Sequence, residues 1–207
     1  MSMKYQNANE VLHRWAQQGR AVFTIDDLRR IFPEASRASF SVGLKRLTDK
    51  GLLTNALRGV YVFDAGLRSH AHLLETIVTC ARRGEYNYLS MESALSEYGV
   101  ISQISTGRIT VMTTGRSGKF RTPYGGILFH HTARHAQGIL ENTREVGRPI
   151  RIAAPATALR DLRRVRGSVD LVDMKAYEDV IREIDGAANK RIQMDEMDID
   201  FFLSGRR

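Results

Sequence analysis

One stretch, residues 32–63, constrains the fold of this chain more than any other. Near its start, Pro33 ends one helix. The hydroxyl of Ser36 can accept a hydrogen bond from a backbone N–H in the first turn of the next helix. Apolar residues then recur every three or four positions over residues 40–47, which predicts an amphipathic helix with one buried stripe. Gly51 is well suited to the left-handed conformation that ends such a helix.

A β-hairpin is predicted directly after this helix. Residues 53–57 and 60–63 alternate in polarity around a turn at Arg58-Gly59. A helix with a polar, basic outer face followed by a short basic-tipped hairpin is typical of a winged helix-turn-helix domain, whose helix enters the DNA major groove and whose hairpin contacts phosphate. The expected DNA-binding residues lie off the apolar stripe or at the hairpin tip: Arg37, Ser39, Ser41, Lys45, Arg46 and Arg58.

The residues before this stretch supply two more helices. One is expected over residues 7–18, and another starts at Thr24, which can act as its N-cap, and ends before Pro33; residues 22–23 are expected to be an extended link. Residues 1–66 are therefore predicted to form a winged-helix domain, and residues 67–207 a second domain. A module of this size has little core of its own, so we expect it to pack against the second domain.

The second domain is predicted to be mixed α/β, which makes the whole chain α+β. The expected helices cover residues 70–83, 90–99 (capped by Ser90), 157–165 (with Pro155 at the first position), 174–184 and 192–203. The expected strands cover residues 86–89, 108–113, 127–131, 139–145 and 150–153. A glycine-rich basic turn over residues 114–119 is expected to join the second and third of these strands as a hairpin.

Charge is distributed unevenly along the chain. The net charge is +8, residues 104–166 hold 12 basic and 3 acidic residues, and residues 167–207 hold 6 basic and 10 acidic. Such a basic excess favours a polyanionic partner. The counter-charge is either external, as in nucleic acid, or internal, as the acidic segment that contains Asp170, Asp173, Glu178, Asp179, Glu183 and Asp185. We favour the external partner, because exposed ion pairs contribute little stability.

Several kinds of site are not expected. Cys80 is the single cysteine, so an intramolecular disulfide is impossible. Side chains of adjacent strand residues such as His130 and His131 point to opposite faces and do not share a metal ion. The sequence 115–119 lacks the spacing of a phosphate-binding loop. No long apolar segment is present, so we expect a soluble, cytoplasmic protein without enzymatic activity, metal or cofactor.

Four blocks of the sequence together resemble one protein family. Residues 88–99, residues 109–125, residues 152–162 and the segment Arg58-Gly59-Val60-Tyr61 occur in the order and spacing of the AbiEi family, the antitoxins of abortive-infection (type IV) toxin–antitoxin operons. The resemblance covers about residues 5–165. Arg160 stands where an apolar residue is common, and residues 167–207 match none of the blocks.

The resemblance implies a protein with two functions. The winged helix would bind inverted repeats in its own promoter and repress the operon. The C-terminal domain would neutralise a toxin encoded next door, typically a nucleotidyltransferase-like protein, without necessarily touching it. The basic residues of the second domain form the candidate antitoxin surface: Arg116, Lys119, Arg121, Arg160, Arg163 and Arg164.

Two other functions remain open at this stage. A winged-helix regulator with a ligand- or partner-sensing C-terminal domain would have the same N-terminal sequence. A winged helix that delivers an enzyme or nuclease module is less favoured, because residues 104–166 contain only Glu141, Glu145 and Asp161 as acidic groups.

Overall fold

The computed structural model describes residues 4–68, 71–101, 107–184 and 186, and the fold is mixed α+β. The helices are α1 (Tyr5–Gln17), α2 (Ile25–Ile31), α3 (Arg37–Asp49), α4 (Leu73–Ala81), α5 (Met91–Glu97), α6 (Ala136–Glu141) and α7 (Pro155–Arg164). Residues 174–184 are also helical. The strands are β1 (Val22–Thr24), β2 (Thr54–Leu57), β3 (Val60–Val62), β4 (Asn87–Leu89), β5 (Arg108–Thr113), β6 (Gly118–Thr122), β7 (Gly125–His131), β8 (Thr143–Arg144) and β9 (Arg151–Ala153).

The chain divides into two compact units. The first comprises Met1–Leu89 and Ser105–Ile152, and the second comprises Ser90–Ile104 and Ala153–Arg207. The first three helices and the strands β1, β2 and β3 all belong to the first unit. In the second unit α5 packs against α7, and the Tyr98 hydroxyl donates to the Ala153 carbonyl at 3.0 Å.

The caps of α2 and α3 are those that the sequence predicts. The Thr24 hydroxyl accepts a hydrogen bond from the Asp27 N–H, and the Asp27 carboxylate accepts one from the Thr24 N–H, so the two residues form a capping box. The Ser36 hydroxyl accepts from the Ser39 N–H at 3.3 Å. Gly51 follows α3 with φ +71°, the left-handed conformation expected there.

One apolar cluster joins α1, α2 and α3 to a face of the first sheet. Phe23, Phe32, Phe40, Leu47 and Phe63 are all nearly inaccessible to solvent in this cluster. Burying a side chain of this size contributes about 1.5–3 kcal/mol, so the stripe of α3 is held firmly against the rest of the module.

The first sheet is antiparallel and three-stranded, in the order β1-β3-β2. Residues 22–23, expected to be an extended link, belong to β1, which pairs with β3. The hairpin of β2 and β3 forms as predicted, with Gly59 in its turn at φ +79°. The Ile25 N–H donates to the Gly59 carbonyl at 2.8 Å, so the hairpin tip is fixed to the start of α2.

The second sheet has six strands in the order β6-β7-β5-β4-β9-β8. The strands β5 and β7 are parallel neighbours, whereas the sequence predicted a hairpin between them. The chain crosses from β5 to β6, which lies at the edge and pairs antiparallel with β7. The strand β6 was missed because an edge strand needs little apolar character, and Phe120 is its single large apolar residue.

Helix α4 contacts all three strands of the first sheet and β7 of the second, so it lies between them. It starts at Leu73, later than predicted, because His72 has φ +58° and cannot be helical; residue 70 lies outside the described part of the chain. Ile77 and Val78 are completely buried in this layer.

Two further predictions are wrong. Residues 139–145 are not one strand: most of them belong to α6 and the two-residue strand β8, with the side chain of Ile139 buried. Ser90 precedes α5 but does not cap it, because its hydroxyl donates to the buried Asp161 carboxylate of α7 at 2.9 Å.

The strand at residues 150–153 and the helix that starts at Pro155 are confirmed, while residues 192–203 lie outside the described residues.

The carboxylate of Asp27 links α2 to the end of α4. Besides Thr24, it accepts hydrogen bonds from Arg83 at 2.9 and 3.1 Å and lies 2.6 Å from the Arg20 guanidinium. Burial alone would raise the pKa of Asp27, but the hydrogen bonds from Arg83, Thr24 and Arg20 outweigh burial and hold the pKa far below its ordinary value.

We therefore predict that Asp27→Asn lowers the free energy of unfolding at pH 7 by about 1.5–3 kcal/mol, the size of hydrogen bonds to a charged group. A depressed folded-state pKa gives stability above the unfolded pKa of about 3.9 that is lost as the pH falls. The variant should consequently lose less stability than the wild type between pH 5 and pH 3, as measured by urea unfolding. Asp26→Asn is the matched control, since Asp26 is exposed and, among the described residues, forms an ion pair with Arg29 only; an equal effect of both changes would contradict the prediction.

Candidate nucleic-acid interface

The outer face of α3 carries all five helix residues that the sequence predicts for DNA contact. Phe40, Gly43, Leu44 and Leu47 are buried, which fixes the rotation of the helix. The side chains exposed on the remaining surface include those predicted: Arg37, Ser39, Ser41, Lys45 and Arg46.

These five residues do not form one line along the helix. At 100° per residue, the line directly opposite the buried stripe runs through Ala38, Val42, Lys45 and Asp49. The guanidinium groups of Arg37 and Arg46 therefore lie on opposite flanks of this line.

Val42 lies on the outermost line and was missed by the sequence analysis. Its side chain is 59% exposed, which is unusual for a large apolar residue on a helix with a well-formed buried stripe. The signal was present in the sequence, because position 42 falls on the face opposite Phe40, Leu44 and Leu47. In a major groove such a side chain suits the methyl group of thymine.

The two serines already use their hydroxyl protons within the helix. Ser39 donates to the Ser36 carbonyl at 3.0 Å, and Ser41 donates to the Arg37 carbonyl at 3.1 Å. Each hydroxyl has only one proton to give, so in this conformation both serines can only accept a hydrogen bond from a partner, and the Ser39 hydroxyl already accepts one from the Ser36 hydroxyl at 3.0 Å.

The cations of α3 are not equivalent. The Lys45 ammonium lies 2.8 Å from the Asp49 carboxylate, and this hydrogen bond raises the pKa of Lys45. Within the described part of the chain, Arg37 and Arg46 make no ion pair. These two guanidinium groups are therefore the α3 cations most available to a polyanion.

The hairpin tip carries a third cation of this kind. Arg58 is exposed in the turn between β2 and β3, and it has no ion pair with any described residue. The hydrogen bond between Ile25 and Gly59 holds the backbone of this turn, so the charge of Arg58 is presented on a fixed support.

The six candidate antitoxin residues are divided between the two compact units. Arg116, Lys119 and Arg121 belong to the loop before β6 and to β6 itself, in the first unit. Arg160, Arg163 and Arg164 belong to α7, in the second unit.

The basic face of α7 is shorter than the sequence predicts. The sequence places positions 160, 163, 164 and 167 on one face, but the helix ends at Arg164 and Gly167 lies beyond it. The Arg160 guanidinium donates to the Thr157 hydroxyl at 3.2 Å, whereas Arg163 and Arg164 are exposed.

The described residues of the acidic segment pair within that segment and not with Arg163 or Arg164. Asp179 pairs with Arg182 of its own helix at 3.2 Å, and the Asp173 carboxylate accepts hydrogen bonds from the N–H groups of Lys175 and Ala176. No ion pair joins Arg163 or Arg164 to residues 167–184; Asp185 lies outside the described residues.

A cavity of about 310 Å³ lies in the first unit, with a buried ion pair in its wall. The Glu75 carboxylate is 2% exposed and accepts a hydrogen bond from Arg148 Nε at 3.1 Å, and His72 Nδ1 lies 3.1 Å from the same carboxylate. Tyr124, also in the wall, donates to Asp64 at 2.6 Å; burial, followed by this hydrogen bond, raises the pKa of Tyr124.

The described residues contain no group of three His, Cys, Asp or Glu side chains arranged to hold a metal ion. None of their helices combines the length and apolar character needed to cross a bilayer. Comparison with protein-family models and with curated proteins gave no match to this chain.

Proposed function

We propose that this protein is a winged-helix DNA-binding repressor that also acts as the antitoxin of a type IV toxin–antitoxin system. The observation that carries the DNA-binding half is the order α1-β1-α2-α3-β2-β3 with the sheet order β1-β3-β2. This order brings a helix with a basic outer face and a hairpin with a basic tip into one small module, as in winged helix-turn-helix proteins.

In this proposal α3 is the recognition helix. Its buried stripe anchors it to the module, and its outer line, with Val42 in the middle, enters the major groove. Arg46 lies one turn after Val42, and Arg37 lies at the start of the helix. The guanidinium groups suit the paired acceptors of guanine or the phosphates beside them, and Val42 suits a thymine methyl group. Arg58 of the hairpin contacts phosphate outside the groove.

The antitoxin half of the proposal rests on the sequence blocks that resemble the AbiEi family. The protein then binds inverted repeats in its own promoter, and residues 67–207 neutralise the neighbouring toxin, a nucleotidyltransferase-like protein in this family. The basic side chains of β6 and α7 are the candidate surface for this activity. The proposal gives the chain no catalytic role.

One observation favours a second candidate function, a regulator that senses a small ligand. The cavity beside His72, Glu75 and Arg148 has about the smallest volume typical of ligand pockets. Its wall holds both charged and apolar side chains, which suits a small polar molecule. The two candidates differ in their genetic context, since only the first requires a toxin gene next to this one.

The first prediction from the proposed function concerns α3. Arg37→Ala combined with Arg46→Ala should weaken binding to the DNA upstream of the protein's own gene by about 1–3 kcal/mol for each arginine that reads a base. Fluorescence anisotropy with a labelled duplex measures the affinity, and thermal unfolding checks the fold. The matched control removes two exposed charges from α1 and the residue before it, Lys4 and Arg14. Equal weakening by both double variants would contradict a specific role of α3.

The second prediction concerns the hairpin. Arg58→Ala should weaken binding to the promoter duplex and to an unrelated duplex by the same factor, because a phosphate contact carries no sequence information. The slope of log affinity against log salt should become shallower by about 0.9. Arg58→Lys keeps the charge and should keep the slope, so a wild-type slope in Arg58→Ala would exclude the phosphate contact.

The third prediction concerns the antitoxin surface. Changing Arg116, Lys119 and Arg121 to Glu in the full chain should abolish neutralisation of the co-expressed toxin in a growth assay while promoter binding is retained. The companion variant changes Arg163 and Arg164 to Glu. If only the companion variant loses neutralisation, the antitoxin surface lies on α7 instead of β6.

A further inference from the structure

The six-stranded sheet has one face turned toward α4 and one face turned away from it. Phe120, Ile127 and Phe129 point toward α4, where the Arg82 guanidinium lies 4.7 Å from the ring centre of Phe129 and 5.9 Å from that of Phe120. Their strand neighbours point the opposite way, because side chains alternate along a strand. The exposed part of that opposite surface, formed by β6, β7 and Arg108 at the start of β5, is called the open face below.

The strand register places two arginines on either side of a glycine on the open face. Arg121 of β6 is opposite Gly126 of β7, and Gly126 is opposite Arg108 of β5. Lys119 lies in the next row of the same face, opposite Leu128. Arg108, Lys119 and Arg121 are exposed to solvent.

Gly126 has no side chain to separate the two arginines, and the stem of Arg108 packs against it. A Cβ atom at this position would approach Arg108 Cγ to 3.3 Å, so a larger residue would displace that stem. Two strand spacings separate Arg108 from Arg121, which puts their Cα atoms about 10 Å apart. Two arginines at this separation can both bind one phosphate, or each can bind one of two successive phosphates of a nucleic-acid strand.

The three cations have no counter-charge among the described residues. None of Arg108, Lys119 and Arg121 forms an ion pair there. Like charges in neighbouring rows of a sheet destabilise it, so their presence on one exposed face calls for an external anion.

We propose that the open face binds single-stranded RNA, with Arg108 and Arg121 holding its phosphates over Gly126 and Lys119 extending the track. This site is separate from the proposed DNA-binding surface of α3. The module of α1, α2 and α3 packs on one face of the first sheet, and α4 lies between that sheet and the second one. Helix α3 therefore lies on the far side of α4 from the open face, while β2 contacts β6 directly.

The shape of the open face favours a single strand over a duplex. Its exposed part is three strands wide only in the row of Arg108, Gly126 and Arg121, because Thr110 and Met112 of β5 are buried on the same face. The half-buried side chain of Leu128 continues it along β7. A narrow cationic track beside an apolar side chain suits the backbone and unstacked bases of a flexible single strand. RNA is the nucleic acid that proteins commonly recognise in single-stranded segments.

The test compares variants of the full chain in fluorescence anisotropy with a short labelled oligouridylate. Arg108→Ala with Arg121→Ala should weaken binding and make the slope of log affinity against log salt shallower by about 1.4, the value for two phosphate contacts on a single strand. Gly126→Val keeps every charge but displaces the stem of Arg108, and it should also weaken binding. Gly126 does not have a positive φ, so valine fits the strand conformation.

The matched control is Lys4→Ala with Arg14→Ala, which removes two exposed charges from α1 and the residue before it. If this control weakens RNA binding as much as the Arg108/Arg121 variant does, attraction is diffuse and the proposed site is wrong. Unchanged affinity in the Arg108/Arg121 variant, or equal affinity for the matching single-stranded DNA, would also overturn the proposal.

Promoter binding separates this inference from the proposed function. The Arg108/Arg121 variant should bind the promoter duplex as the wild type does, and the Arg37/Arg46 variant should bind RNA as the wild type does. If the Arg108/Arg121 variant loses the promoter duplex and RNA together, the open face is part of the duplex-binding surface and the RNA site is refuted. Loss of promoter binding confined to the Arg37/Arg46 variant leaves the two sites independent, as proposed.

Discussion

The burial of α4 between two sheets is the constraint on which the first unit depends. The sequence Leu-Leu-Glu-Thr-Ile-Val-Thr-Cys-Ala is apolar on more than one side, and a helix of that kind is stable only when those sides are covered. The first sheet covers it on one side and β7 on another. Glu75 is the exception in this helix, and its charge is tolerated in the interior because the Arg148 guanidinium pairs with it.

Two polar links hold the three-helix module in this arrangement. Arg83, just after α4, pairs with the Asp27 carboxylate that caps α2. At the other end, Asp64 accepts hydrogen bonds from both Thr54 of β2 and Tyr124 of the β6–β7 turn, each at 2.6 Å. The module is thus fixed to the second sheet by directional contacts as well as by apolar burial, as a domain with a small core of its own requires.

Local chemistry decided which elements the sequence could predict. The caps at Thr24 and Ser36, the glycine turn at Gly59 and the stripe of α3 each depend on residues close in sequence, and the structure has all of them. The failures are elements whose form depends on distant partners. The strand β6 has mostly exposed side chains, so its pairing with β7 leaves little trace in the order of its residues.

The same division applies to the candidate sites. The exposed residues of α3 follow from helical periodicity, which is local, although Val42 was missed because polarity was used as the criterion for contact with DNA. The row of Arg108, Gly126 and Arg121 depends on the parallel pairing of β5 with β7 and on the antiparallel pairing of β6. No periodicity along one strand contains that information, and a hairpin between β5 and β7 would have separated these residues into a different register.

The position of α4 also gives a physical reason for two basic surfaces in one unit. Like charges repel, and charges on one continuous face would add their potentials. Arg37 and Arg46 of α3 lie on one side of α4, whereas Arg108 and Arg121 lie on the sheet face that points away from it. Arg58 is different, because β2, which leads into it, contacts β6 directly. Packed layers are about 10 Å apart, so the layers between the two pairs of arginines exceed the screening length of about 8 Å at physiological salt. The DNA contact proposed for α3 and the RNA contact proposed for the sheet would therefore have little electrostatic effect on each other.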